Sequence, residues 1–186
     1  MGTPLVSPAH AAYLVITLML PATALAQEHG HAQPAAIAIP EGMKAEHDAI
    51  HQQLVRVTQA AGRTGEAGRA LAEVLHPHFV REEQIALPPL GLLAPLARGE
   101  LTEAMSAVVP MTDSLRAELP RMLEEHKAIH AATARLAEAA RRESNAEGAA
   151  LAAALAAHAG AEEQLFYPAA LLVGEVVRAR MQADGH

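Results

Sequence analysis

Histidine and glutamate recur in this chain as a duplicated pattern. The stretch EHDAIH at residues 46–51 returns as EHKAIH at residues 125–130, an offset of 79 positions. The stretch HFVREEQ at residues 78–84 returns as HAGAEEQ at residues 158–164, an offset of 80 positions. Each copy therefore supplies HxxxH and HxxxEE, and the chain contains no cysteine. The pattern predicts one site for a hard metal, built by two copies of a helix pair.

The length and composition fit a single small domain. Alanine, leucine and valine are abundant, and aromatic residues make up 2% of the 186 residues, which favours an all-α fold. The formal net charge is -7 and basic clusters are missing, which argues against nucleic acid as a partner. The lack of cysteine excludes disulfides, thiolate zinc sites and cysteine-ligated iron–sulfur clusters.

The N-terminal 26 residues have the features of a signal peptide. Their apolar run, residues 11–26, contains Pro21 and is shorter than the roughly 20 unbroken residues of a membrane span. The run ends in an A-x-A cleavage signature, so we expect cleavage after Ala26 and a periplasmic or secreted protein that does not stay in the membrane. Residues 1–10 carry no lysine or arginine, so an uncleaved anchor or a misplaced start codon is the alternative.

Apolar residues at three- and four-residue spacing predict four main helices after a disordered linker at residues 27–40. The connection at residues 91–110, with a short helix predicted at residues 101–109, is long enough to link the two halves of a bundle. An amphipathic helical tail at residues 169–186 is expected to pack back on the bundle. The four helices are predicted at residues 41–61, 66–87, 112–142 and 146–167.

The spacing of the duplicated residues suits metal binding. Residues four apart on a helix share a face, so histidine and glutamate at this spacing can bind one metal or bridge two. The last histidine of each HxxxH could instead support another ligand. Glu83 and Glu163 are rotated about 100° from this face and are expected to be surface charges or to hydrogen-bond a ligand. The predicted ligands are His47, His51, His78, Glu82, His126, His130, His158 and Glu162.

These residues also have interpretations other than the binding of iron. Any one of the histidines, taken alone, could be an ordinary polar residue on a helix face, but the second copy repeats the same types at the same offsets. Mixed imidazole and carboxylate ligands suit iron or manganese better than Mg²⁺ or Ca²⁺. A non-catalytic bundle that stores or transports Fe, Zn, Cu or Ni is the main alternative, because imidazole suits those metals too.

At these residues the chain resembles the hemerythrin-like family, also called the HHE cation-binding domain. The resemblance covers residues 41–168 and rests on Glu46-His47, on HxxxE at residues 78–82 and 158–162, and on EHxxxH at residues 125–130. It implies an antiparallel four-helix bundle around a non-haem di-iron centre with carboxylate bridges and an oxo or hydroxo bridge. Manganese or zinc is less favoured than two Fe ions. Members bind O₂, sense O₂ or iron, scavenge NO or peroxide, or deliver iron.

The resemblance also implies how the ligands divide between the two metals. His126, His130 and His158 would bind one iron, His47 and His78 the other, and Glu82 and Glu162 would bridge them. The additional His51 decides whether the second iron keeps a position for O₂, NO or peroxide. The expectation is a protein that binds, senses or detoxifies such a small ligand, rather than a dedicated enzyme.

Overall fold

A computed structural model describes residues 37–184, and this part of the chain is helical, without a β-strand. The predicted signal peptide and residues 27–36 of the predicted linker lie outside the described residues. Within residues 37–184, no helix combines the length and hydropathy needed to cross a membrane. The α-helices are α1 (Glu41–Thr58), α2 (Gly62–Arg81), α3 (Leu93–Ala97), α4 (Val108–Glu143), α5 (Ala146–Ala161) and α6 (Tyr167–Asp184).

Four long helices surround one apolar core. α1 packs against α2 and α5, and α4 packs against the same two helices, so that the four form a closed ring. Each helix buries a stripe of residues at three- and four-residue spacing, as an amphipathic helix on a core must. The ring confirms the predicted all-α bundle. Its central core contains Ile50, Leu54, Val57, Leu71, Leu75, Phe79, Ile129, Leu136, Leu151 and Leu155.

In both copies of the repeat, the regular α-helix changes into a π-helical turn at the same position. α2 and α5 each pass into a π-helical turn, Glu82–Ala86 and Glu162–Phe166, where continuous helices are predicted to residues 87 and 167. In the first turn the Leu87 amide donates a 2.9 Å hydrogen bond to the carbonyl of its opening glutamate. After one intervening residue, each turn is followed by a proline, Pro88 or Pro168, and because proline has no N–H it removes one hydrogen bond of the regular α-helical ladder at this point.

The connection between the halves is also partly helical. It contains a 3-10 turn at Pro88–Leu92, the short helix α3, and a second 3-10 turn at Glu103–Ala107 in place of the short helix predicted at residues 101–109. α6 continues the chain beyond the second π-helical turn and packs on α4. It buries Val173 and Val177 in a separate apolar cluster with Leu92, Leu96 and Val108.

The first turn of α2 is capped by a side chain from another helix. Glu143, at the end of α4, accepts hydrogen bonds from the amides of Arg63 (2.8 Å) and Thr64 (2.9 Å) and from the Thr64 hydroxyl (2.6 Å). The chain enters α2 through Gly62, whose φ of +71° lies in the region that favours glycine. These bonds satisfy amides that have no partner within α2. The bond from the Thr64 hydroxyl, followed by the amide bonds, lowers the pKa of the Glu143 carboxyl.

Glu143→Gln is expected to lower the melting temperature by a few degrees near neutral pH, because a neutral amide is a weaker acceptor at a helix N-terminus. Since the folded-state pKa is lowered from 4.5, the carboxylate stabilises the fold above that value, and this contribution is lost as pH falls through the folded-state pKa. The melting temperatures of the parent and the variant should differ at pH 7 and converge as the pH falls below 4.5. A difference that persists unchanged at acid pH would contradict the capping role.

Candidate metal centre

Four histidines, one from each long helix, direct their Nε2 atoms into the middle of the bundle. They are His47 on α1, His78 on α2, His126 on α4 and His158 on α5, and all four are buried. Glu82 and Glu162 open the two π-helical turns and are 0% and 1% exposed. Such turns recur at functional sites because the extra residue shifts the side chains relative to a regular helix.

These six side chains form two overlapping groups of potential ligands. His47 and His158, with both glutamates, form what we call the 47/158 position. His78 and His126, with the same two glutamates, form the 78/126 position. Within each group the ligand atoms lie within 4.8 Å of one another. Because Glu82 and Glu162 belong to both groups, each carboxylate can contribute to two metals.

The atom separations are those of a ligand set. At the 47/158 position, Glu162 Oε1 lies 2.9 Å from His158 Nε2 and 3.7 Å from His47 Nε2. At the 78/126 position, His78 Nε2 lies 2.8 Å from His126 Nε2 and 3.2 Å from Glu82 Oε1. Ligand atoms at right angles on a metal with bonds of about 2.1 Å are about 3 Å apart. The buried cluster could therefore hold metal with little rearrangement.

A second ring of carboxylates faces the outer nitrogens of the histidines. Each Nδ1 atom has a glutamate oxygen 2.7 to 3.3 Å away, so each Nε2 atom is left for the centre. A carboxylate behind a metal-binding histidine fixes the ring orientation and makes it a stronger ligand. The pairs are Glu83 with His47, Glu125 with His78, Glu163 with His126, and Glu46 with His158.

Two members of this outer ring were missed by the sequence analysis. The hydrogen bonding of Glu83 and Glu163 to histidines agrees with one of the two roles expected for them. No role was assigned to Glu46 or Glu125, although the duplicated EH dipeptide was the signal that could have revealed them. Glu125 is itself held by Arg81, whose Nη1 lies 2.9 Å from its Oε2.

The two inner carboxylates differ in their electrostatics. Burial raises the pKa of Glu82, and the charge of Glu162 adds to this effect. Burial also acts to raise the pKa of Glu162, but the neighbouring imidazoles of His158 and His47 outweigh it and lower the value to about 2. The pKa of His158 is raised, because the adjacent carboxylates outweigh the opposing effect of burial. Without metal, the cluster thus favours a negative charge on Glu162 and a positive charge on the neighbouring His158.

The 47/158 position fits a cation. Within residues 37–184, all four of its inward-facing atoms lack an aligned hydrogen-bond partner, including the 2.9 Å pair of His158 Nε2 and Glu162 Oε1. Buried polar atoms without partners are costly and rare in folded proteins. A cation that accepts lone pairs from two imidazoles and two carboxylates would satisfy all of them at once. The four atoms are His47 Nε2, Glu82 Oε2, His158 Nε2 and Glu162 Oε1.

His51 and His130, also predicted as ligands, lie outside the buried cluster. Both are exposed; the ring of His51 lies 6.5 Å from that of His76, and His130 Nε2 lies 3.6 Å from Glu163 Oε1. Four residues along a helix are slightly more than one turn, a displacement of about 6 Å along the axis and about 40° around it. At that level the buried side chains are the apolar Ile50 and Ile129. His130 forms a third, partly exposed group with His126 and Glu163, whose ligand atoms lie within 4.8 Å of one another, whereas His51 belongs to no such group among residues 37–184.

The grouping of the remaining histidines also differs from the one that the resemblance implies. The structure brings His47 together with His158, and His78 together with His126. Each pair therefore takes one histidine from each copy of the repeat. This grouping treats the two copies equally, because each position receives the same ligand types.

Two aromatic side chains make the two positions unequal. The Tyr167 hydroxyl donates a hydrogen bond to Glu82 Oε1 and lies 3.1 Å from His126 Nε2, at the 78/126 position. The Phe79 ring stacks on His47 with centroids 4.0 Å apart, at the 47/158 position. Tyr167 could not be found from the repeat, because the first copy has Leu87 at the matching place.

The chain matches a known protein family by sequence. No curated protein and no solved structure matches the chain. The model of the hemerythrin HHE cation-binding domain matches residues 39–170, which is more than half of the chain and includes all six residues of the buried cluster. The chain belongs to the hemerythrin HHE cation-binding domain family.

Proposed function

We propose that this protein holds a non-haem di-iron centre in an antiparallel four-helix bundle and uses it to bind, sense or detoxify O₂, NO or peroxide. The observation that supports this most strongly is the pair of four-residue groups that share both buried carboxylates. The proposed ligands are His47, His78, Glu82, His126, His158 and Glu162.

The side chains of the cluster have separate tasks in this proposal. Glu82 and Glu162 bridge the two positions, and the histidines bind through Nε2 while the outer glutamates keep their rings oriented. Iron at this site would supply a redox-active Lewis acid for a small oxygen or nitrogen ligand. With His51 and His130 outside the cluster, the shared carboxylates and two histidines leave room for that ligand. The apolar core around Phe79 limits the access of water.

We also propose that the protein acts after export. The A-x-A signature supports cleavage after Ala26, and the mature chain would then work in the periplasm or outside the cell. The acidic composition supports a small-molecule partner rather than nucleic acid. The N-terminal residue of protein recovered from the native compartment tests the cleavage site directly; Met1 at that terminus would contradict it.

Protein purified from its native compartment without a histidine tag is expected to contain about two irons per chain, because the two positions offer two histidines and two shared carboxylates each. Elemental analysis gives the stoichiometry, and the optical spectrum with and without azide or NO shows whether a small ligand reaches the metal. One zinc per chain with no spectral change would contradict the di-iron proposal. It would instead support metal storage or transport, for which imidazole ligands are equally suitable.

A further inference from the structure

Tyr167, in the second copy of the repeat, is a buried tyrosine whose hydroxyl lies next to the 78/126 position. It is the first residue of α6, directly after the π-helical turn that Glu162 opens, and it is 1% exposed. Its hydroxyl oxygen is hydrogen-bonded to Glu82 Oε1 and lies 3.1 Å from His126 Nε2 and 3.5 Å from His78 Nε2. The oxygen thus approaches three of the ligand atoms of the 78/126 position simultaneously.

These separations match those within the ligand set itself. The inner atoms of the 78/126 position lie 2.8 Å (His78 to His126) and 3.5 Å (His126 to Glu162) apart. Neighbouring ligands of one metal are expected about 3 Å apart. The phenol oxygen therefore has the spacing of one more ligand. Apolar packing of the Tyr167 ring alone does not account for a hydroxyl that lies close to two imidazole nitrogens.

Among residues 37–184, the 47/158 position has no matching tyrosine hydroxyl. The residue that matches Tyr167 in the first copy is Leu87, which is buried in an apolar cluster. Within residues 37–184, the inner atoms that lack a hydrogen-bond partner all belong to the 47/158 position, together with the outer nitrogen of His158. The corresponding nitrogens of His78 and His126 have the tyrosine hydroxyl and each other as neighbours. The duplicated site is therefore chemically asymmetric.

We propose that the phenol oxygen of Tyr167 is a protein ligand of the metal at the 78/126 position, which leaves the 47/158 position as the one that binds the small ligand. This inference rests on the proposed di-iron function. As a ligand, Tyr167 would lose the proton of its O–H bond and its oxygen would offer a lone pair to the metal; the proton would leave by way of Glu82, which accepts the hydrogen bond of the hydroxyl, and pass on to the solvent. No electron transfer is required. The 78/126 position then has one more protein ligand than the 47/158 position, whose lining includes the Phe79 ring.

The chain is well suited to a spectroscopic test, because it has two tyrosines and the other one is Tyr13. The full chain is reconstituted with iron alone and oxidised to iron(III), and the Tyr13→Phe chain serves as the matched control. Both are expected to show phenolate-to-iron(III) charge-transfer absorption and phenolate ring modes in resonance Raman spectra. Tyr167→Phe should lose these signals completely and keep at least one iron per chain, with azide still binding at the 47/158 position.

Each outcome separates this inference from the proposed function. If the Tyr13→Phe chain binds two irons without phenolate modes, Tyr167 is only a hydrogen-bond donor to Glu82 and the inference is wrong, whereas the di-iron function stands. If the parent binds no iron, the proposed function itself fails. The measurement on the Tyr13→Phe chain decides the question even if the Tyr167→Phe chain does not fold.

Discussion

Glu162→Ala is expected to abolish binding at both metal positions, so that iron falls from about two per chain to nearly none. Glu162 is the residue whose carboxylate approaches His47 and His158 on one side and His126 on the other. Loss of an outer carboxylate typically reduces metal affinity roughly 10- to 100-fold, and loss of a shared inner one should exceed that. Iron per chain after dialysis against a weak chelator measures the effect.

His51→Ala and His130→Ala provide the matched controls for this prediction. Both residues belong to the duplicated HxxxH motifs and are exposed, and neither is a member of the two buried groups, although His130 forms a third, partly exposed group with His126 and Glu163. Each variant is expected to retain the iron content of the parent, because all six buried side chains remain. The family resemblance implies a different result, namely weaker metal retention in His130→Ala. If either histidine variant lost as much iron as Glu162→Ala, the second histidine of that HxxxH motif would be a ligand and this prediction would be wrong.

The sequence predicts the bundle and the inner ligands because both depend on helical periodicity. Buried stripes at three- and four-residue spacing place His47 and His126 on the core face of their helices, and the repeat at an offset of 79 or 80 residues gives each inner ligand an equivalent in the other copy. Glu82 and Glu162 are predictable for the same reason, since a buried carboxylate at i+4 from a histidine needs a partner. Four helices with polar residues on their inner faces leave few alternatives to a shared site.

Helical periodicity does not predict those features of the site that depend on the packing of several helices or on a departure from the regular α-helix. A spacing of four residues cannot say at which level of the bundle the site lies, so His51 and His130 are indistinguishable from ligands in the sequence. The π-helical turns depend on a proline six residues after each inner glutamate, a signal that predicts the end of a helix but not the wider turn before it. Tyr167 breaks the repeat, and a property carried by only one copy cannot be found by comparing the two.

Removal of metal is expected to lower the melting temperature by at least about 10 °C and to loosen the bundle. Four inward-facing atoms of the 47/158 position lack aligned hydrogen bonds among residues 37–184, and each such atom costs about 1 to 3 kcal/mol. The sum, about 4 to 12 kcal/mol, is comparable with the whole stability of a small domain, about 5 to 15 kcal/mol. Thermal unfolding of iron-loaded and chelator-treated protein, followed by circular dichroism, measures the difference.

The melting temperature of Glu162→Ala, measured with and without iron, isolates the part of the stabilisation that comes from metal in the buried cluster. A metal that binds anywhere on the folded protein raises its melting temperature by mass action, so a difference between loaded and metal-free parent does not by itself locate the site. In Glu162→Ala, added iron should leave the melting temperature unchanged, because the residue shared by both positions is gone. His51→Ala should still respond to iron as the parent does. An equal response in Glu162→Ala would place the stabilising metal outside the buried cluster and would refute the central site.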